Sequence, residues 1–407
     1  GRTFASASYD NTIIVWDLET RTALEKLQAG HTGPVTSVAF GPDGKSLVSG
    51  GVDFNVSVWD FARDRSIARI LKPQSRRINS VTFNPTGSIL AAGTSANSIL
   101  LWDADTLQPI APPLTFQFGS ITHVTFSWDG RFLASASTDA TIVLWNVDTL
   151  QPAAPPLIGH SGAVNNLSFN PPGTLLASGG ADATIILWNL DTFQADGPPL
   201  GGYTSPVNSV AFQPNSNSLA AGYDDGVVVL WDLVARPPAS RVLMRPAASV
   251  NSVAFSPDGK ILAAAASDGT ITLWDMAADQ MLGQPLTGHA GSVKTLAFSP
   301  DGKILASGGF DGNVILWDVA TRQSIGQPLR DHEGGVFTVA FRADGLILAS
   351  GSVDNTIILW NIDPQAWLAR TCQRVGRNFT RGEWAQYFED QPYPSEDLTC
   401  PQWPAGN

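Results

Sequence analysis

Charge is scarce in this chain. Only 15% of its 407 residues are Asp, Glu, Lys or Arg, against roughly a quarter in ordinary globular domains. Within that small set, 24 basic residues face 36 acidic ones, for a formal charge of −12. The basic stripe that neutralises phosphates is therefore missing, which argues against a nucleic-acid partner. Thiols are scarce too. Cys372 and Cys400 are the only two and both lie near the C-terminal end, so no disulfide framework holds the main body, and a reducing compartment fits. No run of about 18 apolar residues occurs, which excludes a membrane-spanning helix, and no signal-peptide pattern opens the chain. These absences predict a cytoplasmic protein that works away from membranes. Chemistry is equally hard to find: the phosphate loop G-x-x-x-x-G-K-[ST], the metal motif H-E-x-x-H and a CxxC pair are all missing. No catalytic residue, cofactor or metal is expected.

What the chain does have is a period. Trp16, Trp59, Trp102, Trp145, Trp188, Trp231, Trp274, Trp317 and Trp360 follow one another at intervals of 43 residues. Asp or Asn follows every one. Each unit reads as four short strands. Val293–Phe298 alternates apolar and polar, the turn Ser299-Pro300-Asp301-Gly302 ends it, and Ile304–Gly308 and Asn313–Trp317 follow. Pro and Asp-Gly supply turn geometry while β-branched residues fill the strands. After each Trp comes a fourth segment in which Pro is frequent: Pro112 and Pro113, Pro155 and Pro156, Pro198 and Pro199. Proline cannot donate to a ladder, so this strand belongs on the outer edge. A four-stranded unit with two apolar faces buries them by stacking on its neighbours around an axis.

The Trp-Asp dipeptides, with Gly30-His31, Gly159-His160, Gly288-His289 and the variant Asp331-His332, resemble the WD-repeat β-propeller family. The resemblance covers residues 1–362 and implies an all-β WD40 propeller. It also implies a structural tetrad of His, Ser, Asp and Trp in each complete unit. The four sets are His31, Ser49, Asp53 and Trp59; His160, Ser178, Asp182 and Trp188; His289, Ser307, Asp311 and Trp317; and His332, Ser350, Asp354 and Trp360. Where the His position holds Gln74, Tyr203 or Pro246, the Ser position holds Ala92, Ala221 or Ala264. His and Ser thus come and go together, as expected of a hydrogen-bonded pair, because a buried hydroxyl without its partner costs about 1–3 kcal/mol. Gln117 beside Ser135 breaks the rule. Repetition with a Trp in every copy favours bracing over a nucleophilic Ser-His-Asp reading. His123, on the strand Ile121–Phe126, reads as a satisfied core or channel-side histidine.

Counting strands leaves the ring size open. Nine units in one ring is the expectation, short of one inner strand at the start and one outer strand at the end. Eight blades would clasp Ala23–Leu27 against Ile358–Trp360 and leave two strands over. Seven blades from the C-terminal units would leave six over, with the first two units belonging to an upstream ring. The opening Gly1-Arg2-Thr3-Phe4 suggests that an inner strand, and further units, lie upstream.

Residues 363–407 form a separate tail. Asp363 and Pro364 open a helix over Gln365 to about Val375, and Thr380 with Glu383 forms a capping box for a second, carrying Trp384, Tyr387 and Phe388. Gln391–Asn407 is an extended wrap. The tail is expected to cover the last blade's open edge, and packing suits Cys372 and Cys400 better than a metal or a disulfide. The string WLARTCQRVGRNFTRGEWAQYF (367–388), followed by Thr399-Cys400-Pro401, resembles the end of bacterial multidomain WD-repeat proteins. In these the propeller follows an effector and a signal-transduction ATPase of the STAND (NACHT or NB-ARC) type, or a protein kinase.

The binding candidate is apolar. The residue before the tetrad Asp faces the top rim, and its bulky members are Tyr9, Val52, Phe310 and Val353, which become neighbours if nine units close. Phe54 and Phe337 join that sector. Separately, Arg76 and Arg77 form the one basic step on a face otherwise poor in charge, read either as a solvated loop or as an anchor for an anionic group. Clustered rim aromatics resemble a hot spot. The expected function is a non-catalytic protein- or peptide-binding platform, the sensor or scaffold region of a larger bacterial signalling protein. A propeller enzyme with a channel site and a purely architectural or oligomerising module are the alternatives.

Overall fold

The computed structural model describes residues 77–235 and 237–363 and, before them, the backbone of seven strands. These are β1 (Thr3–Ala7), β2 (Ile13–Asp17), β3 (Ala23–Leu27), β4 (Val35–Phe40), β5 (Ser46–Gly51), β6 (Val56–Asp60) and β7 (Ala68–Leu71). Among the described residues there are strands and turns and no helix. The chain divides into two compact units, Gly1–Ile67 and Ala68–Asn407. The first holds two three-stranded antiparallel sheets, β1-β2-β3 and β4-β5-β6.

The second unit is a propeller of seven blades, numbered I to VII from Ile78. Blade III shows the pattern: Val164–Phe169, Leu175–Gly180, Ile185–Asn189 and Gln194–Ala195 lie side by side in chain order. The turn Asn170-Pro171-Pro172-Gly173 reverses the chain, with Gly173 at a φ of 71° that favours glycine. The second strand of every blade is buried almost throughout, as in Ile89–Thr94 and Ile261–Ala266. Both of its faces meet neighbouring blades, so few positions remain where a charge can be solvated. That accounts for the low charge content. The outer strands are short. In blade II the outer segment is split into Gln151–Pro152 and Leu157–Ile158 around Pro155 and Pro156, and in blade VI only bridges at Ser324 and Leu329 remain. Blade IV has no proline within its outer strand and keeps six residues, Ala239–Met244.

Three observations close the ring between blades VII and I. β7 pairs antiparallel with Ile357–Asn361, setting Leu71 opposite Ile357 and Ala68 opposite Trp360. Val81 N–H donates to Thr338 Oγ1 at 2.9 Å. Ile78, Leu90 and Trp102 of blade I share one buried cluster with Ala349, Ile357 and Leu359 of blade VII. At this seam Gly351 approaches Ile78 so closely that a Cβ would sit 2.5 Å from its Cγ2.

The ring therefore has seven blades and not nine. Nor does Ala23–Leu27 clasp Ile358–Trp360, since β3 pairs with β2. The physical reason is that β7, which follows β6 in the chain, joins Ile357–Asn361 and completes blade VII. Blade I then packs directly on blade VII. The same pairing takes the edge that the tail was expected to cover. Both tail helices, the extended wrap, Cys372 and Cys400 lie outside the described residues.

Candidate partner-binding rim

The tetrads run from the blade surface inward. In blade III, His160 Nδ1 lies 3.0 Å from Asp182 Oδ2, its Nε2 lies 2.7 Å from Ser178 Oγ, and Trp188 Nε1 donates to the same Oγ at 2.8 Å. Blades VI and VII repeat the chain. His289 reaches Ser307 at 2.8 Å and Asp311 at 3.0 Å, and His332 reaches Ser350 at 2.7 Å and Asp354 at 2.9 Å. Trp317 and Trp360 cap those serines at 2.8 and 2.7 Å. A carboxylate accepts, so Nδ1 carries the proton and Nε2 accepts from Ser. For His332 a neutral imidazole is in keeping with burial, which holds its pKa below the ordinary value despite the opposing pull of Asp354. Ser178, Ser307 and Ser350 are fully buried and each spends a lone pair on an indole N–H. No substrate reaches these hydroxyls. Of the set His31, Ser49, Asp53 and Trp59, His31 and Asp53 lie outside the described residues, and Ser49 and Trp59 are described only as backbone of β5 and β6.

Gln117 is a histidine substitute that the sequence rule missed. Ser135 Oγ donates to Gln117 Oε1 at 2.6 Å, Trp145 Nε1 caps Ser135 at 3.1 Å, and Gln117 Nε2 donates to Thr141 O at 3.0 Å. Asp139 then takes the Phe118 N–H at 2.8 Å. Where the pair is lost, aromatics fill the space in blade IV, with Tyr203 and Tyr223 ring centres 4.9 Å apart.

Around the axis, each inner strand carries a β-bulge one residue in, for example between Ile121 and His123. The extra residue brings two consecutive side chains to the channel, a cavity of about 300 Å³. The first of the two, taken around the ring, is Asn79, Thr122, Asn165, Asn208, Asn251, Lys294 and Phe337. The first five donate to the opening carbonyl of the next inner strand, at 2.7, 2.5, 3.0, 3.1 and 2.8 Å. At the second position Ser80, Asn166, Ser209, Ser252, Thr295 and Thr338 accept an N–H from the next blade. His123 occupies the remaining place.

Where the polar girdle ends, at Lys294 and Phe337, the rim becomes aromatic. Phe310 stands on the turn of blade VI, 60% exposed, with its ring centre 6.2 Å from that of Phe337. The Arg77 guanidinium lies 5.3 Å from the centre of the Phe337 ring, and its Nε donates to Asn79 Oδ1 at 2.7 Å. Val353, half-buried, borders Gly334 between blades VI and VII. Of the rim residues singled out in the sequence, Arg77, Phe310, Phe337 and Val353 thus share a sector. Tyr9, Val52, Phe54 and Arg76 lie outside the described residues. The expected adjacency of Tyr9 and Val52 to Val353 required nine units to close. In the seven-bladed ring the next rim position after Val353 is Ser95, whose N–H donates to Arg77 O at 3.0 Å.

A family model for "WD domain, G-beta repeat" matches residues 1–17, 23–60, 66–103, 112–146, 154–189, 198–232, 240–275, 281–318 and 323–361. The chain belongs to the WD-repeat family. The last seven matches, from residue 66, correspond to the seven blades of the ring. No curated protein matches the chain.

This WD-repeat ring also carries functional candidates that were not read from the sequence. Phe118 is 92% exposed in the loop before blade II, where other units have Ser75, Ser161, Thr204 or Ala290. Lys294 is the one cation among the channel-mouth positions. Both differ from their equivalents at the 43-residue offset, which is the signal that marks them.

His123 gives a prediction. Its Nδ1 is buried without a hydrogen-bond partner among the described residues, and burial pushes its pKa down to about 4. The unfolded chain takes up this proton near pH 6.5 and the folded chain only near 4, so stability is lost as pH falls through that window. His123→Ser supplies the hydroxyl used at Ser80 and Ser209. It is expected to be near neutral at pH 7.5 and to stabilise by up to about 3 kcal/mol at pH 4.5, as read by urea unfolding at the two pH values.

Proposed function

We propose that this ring is a non-catalytic platform that binds a protein or peptide segment on its top rim, in the sector of Arg77, Phe310, Phe337 and Val353. WD-repeat propellers are in general protein-interaction scaffolds, and the observation that carries the reading here is the exposed Phe310 packed edge-on against Phe337 under Arg77. Aromatic rings and arginine dominate interface hot spots because they bury large area at little entropic cost. The seven stacked blades hold that sector rigid, which lowers the ordering cost of binding.

The wider setting follows from the tail. Its likeness to the ends of bacterial multidomain WD-repeat proteins supports a role as sensor or scaffold region of a signalling protein, with effector and ATPase or kinase domains upstream in the same chain. In that arrangement, ligand on the propeller releases the ATPase for assembly. The low cysteine content fits a cytoplasmic site of action, and no helix among the described residues is long and apolar enough to cross a membrane.

The test is a double substitution, Phe310→Ser with Phe337→Ser. Partners recovered with the intact chain are expected to lose about 2 kcal/mol or more of binding, with the thermal melting curve retained. Unchanged affinity overturns the assignment of this sector.

A further inference from the structure

The girdle of channel-mouth side chains is closed on itself everywhere except at two adjacent places. Asn79, Asn165 and Asn251 spend their amide protons on the wall. Lys294 and Phe337 do not, and no carboxylate lies within ion-pair distance of Lys294 among the described residues. Lys294 is half-buried, in surroundings where desolvation lowers its pKa and the more distant Asp224 opposes the shift. Asp224 itself is engaged elsewhere, accepting from Ser249 Oγ at 2.7 Å and Asn208 Nδ2 at 3.2 Å. On the other side of Phe337, Arg77 has a side-chain partner in Asn79 but, among the described residues, no acid. Among the described residues, two cations without counter-ions thus flank an aromatic pair, Phe310 exposed and Phe337 half-buried, on a chain whose net charge is −12.

We infer that the segment bound at this rim is acidic: it places an Asp or Glu carboxylate against Lys294 and Arg77, and a neighbouring apolar side chain against Phe310 and Phe337. This rests on the rim reading above. A partly desolvated ammonium has already lost some of its hydration, so an arriving carboxylate gains more there than at the solvated surface. The overall negative charge favours a basic segment by long-range attraction, and the local pair reverses that preference at one sector only. Specificity then comes from the contrast, since an acidic segment is repelled from the rest of the surface and held at Lys294 and Arg77.

The experiment uses the whole chain and a displayed library of random 12-residue peptides. Selected peptides are sorted by whether they lose binding to the Phe310→Ser, Phe337→Ser variant. The rim-dependent peptides are expected to carry Asp or Glu beside an aromatic or large aliphatic residue. Exchange of that acid for its amide is expected to weaken binding to the intact protein by ten-fold or more. On Lys294→Asn, which installs the residue found at four other places in the girdle and so preserves the fold, the same exchange is expected to change binding by less than two-fold. Arg77→Gln is a second variant, with a partial loss of the acid preference expected. Rim-dependent peptides that are basic or lack acids, or an acid preference that survives both variants, overturn the inference while leaving the rim as the binding site. If no selected peptide depends on Phe310 and Phe337, both readings fall.

Discussion

Replacing His332 by alanine is expected to destabilise the ring by about 2–4 kcal/mol, because it removes the shortest partner of a buried hydroxyl and a donor from a buried carboxylate at once. Ser350 Oγ, fully buried, loses its acceptor at 2.7 Å and keeps only Ile358 O at 3.5 Å, and Asp354, with a side chain 9% exposed, loses the ring N–H at 2.9 Å while keeping Glu333 and Thr356 as donors. His332→Gln is expected to recover part of the loss, since Gln117 already makes this contact to Ser135 in blade II. The pH dependence has a definite sign. Burial pulls the Asp354 carboxyl up, but Thr356 and His332 outweigh it and hold the pKa below the ordinary carboxylate value, as similar donors do at Asp182 and Asp311. A depressed carboxylate stabilises the fold above its unfolded value near 4 and loses that contribution as pH falls through the folded value. The penalty of His332→Ala is therefore expected to be full at pH 7 and to shrink in acid. Urea unfolding at pH 7 and pH 3.5 measures both numbers. A loss under about 1 kcal/mol at pH 7 contradicts the bracing role.

Most of the architecture is legible along the chain because it is written nine times. The 43-residue period, the order of strands within a blade and the prolines at the outer edge are all local properties of a repeat. The tetrad partners are implied by the resemblance to the WD-repeat family, and the joint presence or absence of His and Ser in the units supports them. Gln117 escaped that rule because an amide reproduces the acceptor of an imidazole without resembling it in sequence. Ring size was not legible, because any outer strand can chemically complete any blade. The choice of β7 over a more distant partner is a property of curvature and packing, seen at the close approach of Gly351 to Ile78. The site inherits that difficulty. Phe310 and Phe337 are one unit apart and were paired from the sequence, whereas Arg77 reaches Phe337 only after blades I and VII meet. Lys294 is not legible in the sequence because a lone lysine on a strand is ordinarily solvated, and only the girdle of asparagines around it shows that it is out of place.

The second large effect concerns closure. A chain lacking residues 1–63 keeps β7 and is expected to retain one cooperative melting transition for the ring. A chain lacking residues 1–71 leaves the edge Ile357–Asn361 bare. With four residue pairs removed, at about 1 kcal/mol net for each hydrogen bond, the cost is roughly 4 kcal/mol. The open apolar edge is also a template for pairing with another copy, so the shorter chain is expected to associate, seen as a mass above that of the monomer in sedimentation. Equal stability and a monomeric mass for both chains contradict closure by β7.

Closure between β7 and Ile357–Asn361 is what sets Arg77 beside Phe337 and defines the candidate rim, so it is the claim to test most directly. Two cysteine pairs, each placed in the full chain with Cys372 and Cys400 changed to Ser, distinguish the possible clasps. Arg69→Cys with Leu359→Cys joins directly paired positions, within the range a disulfide spans. Glu25→Cys with Leu359→Cys reports the alternative clasp by β3. Mild oxidation followed by non-reducing electrophoresis is expected to show near-complete cross-linking for the 69–359 pair and none within the chain for the 25–359 pair. A 25–359 bond, with 69 and 359 left as free thiols, contradicts the seven-bladed ring and the rim built on it.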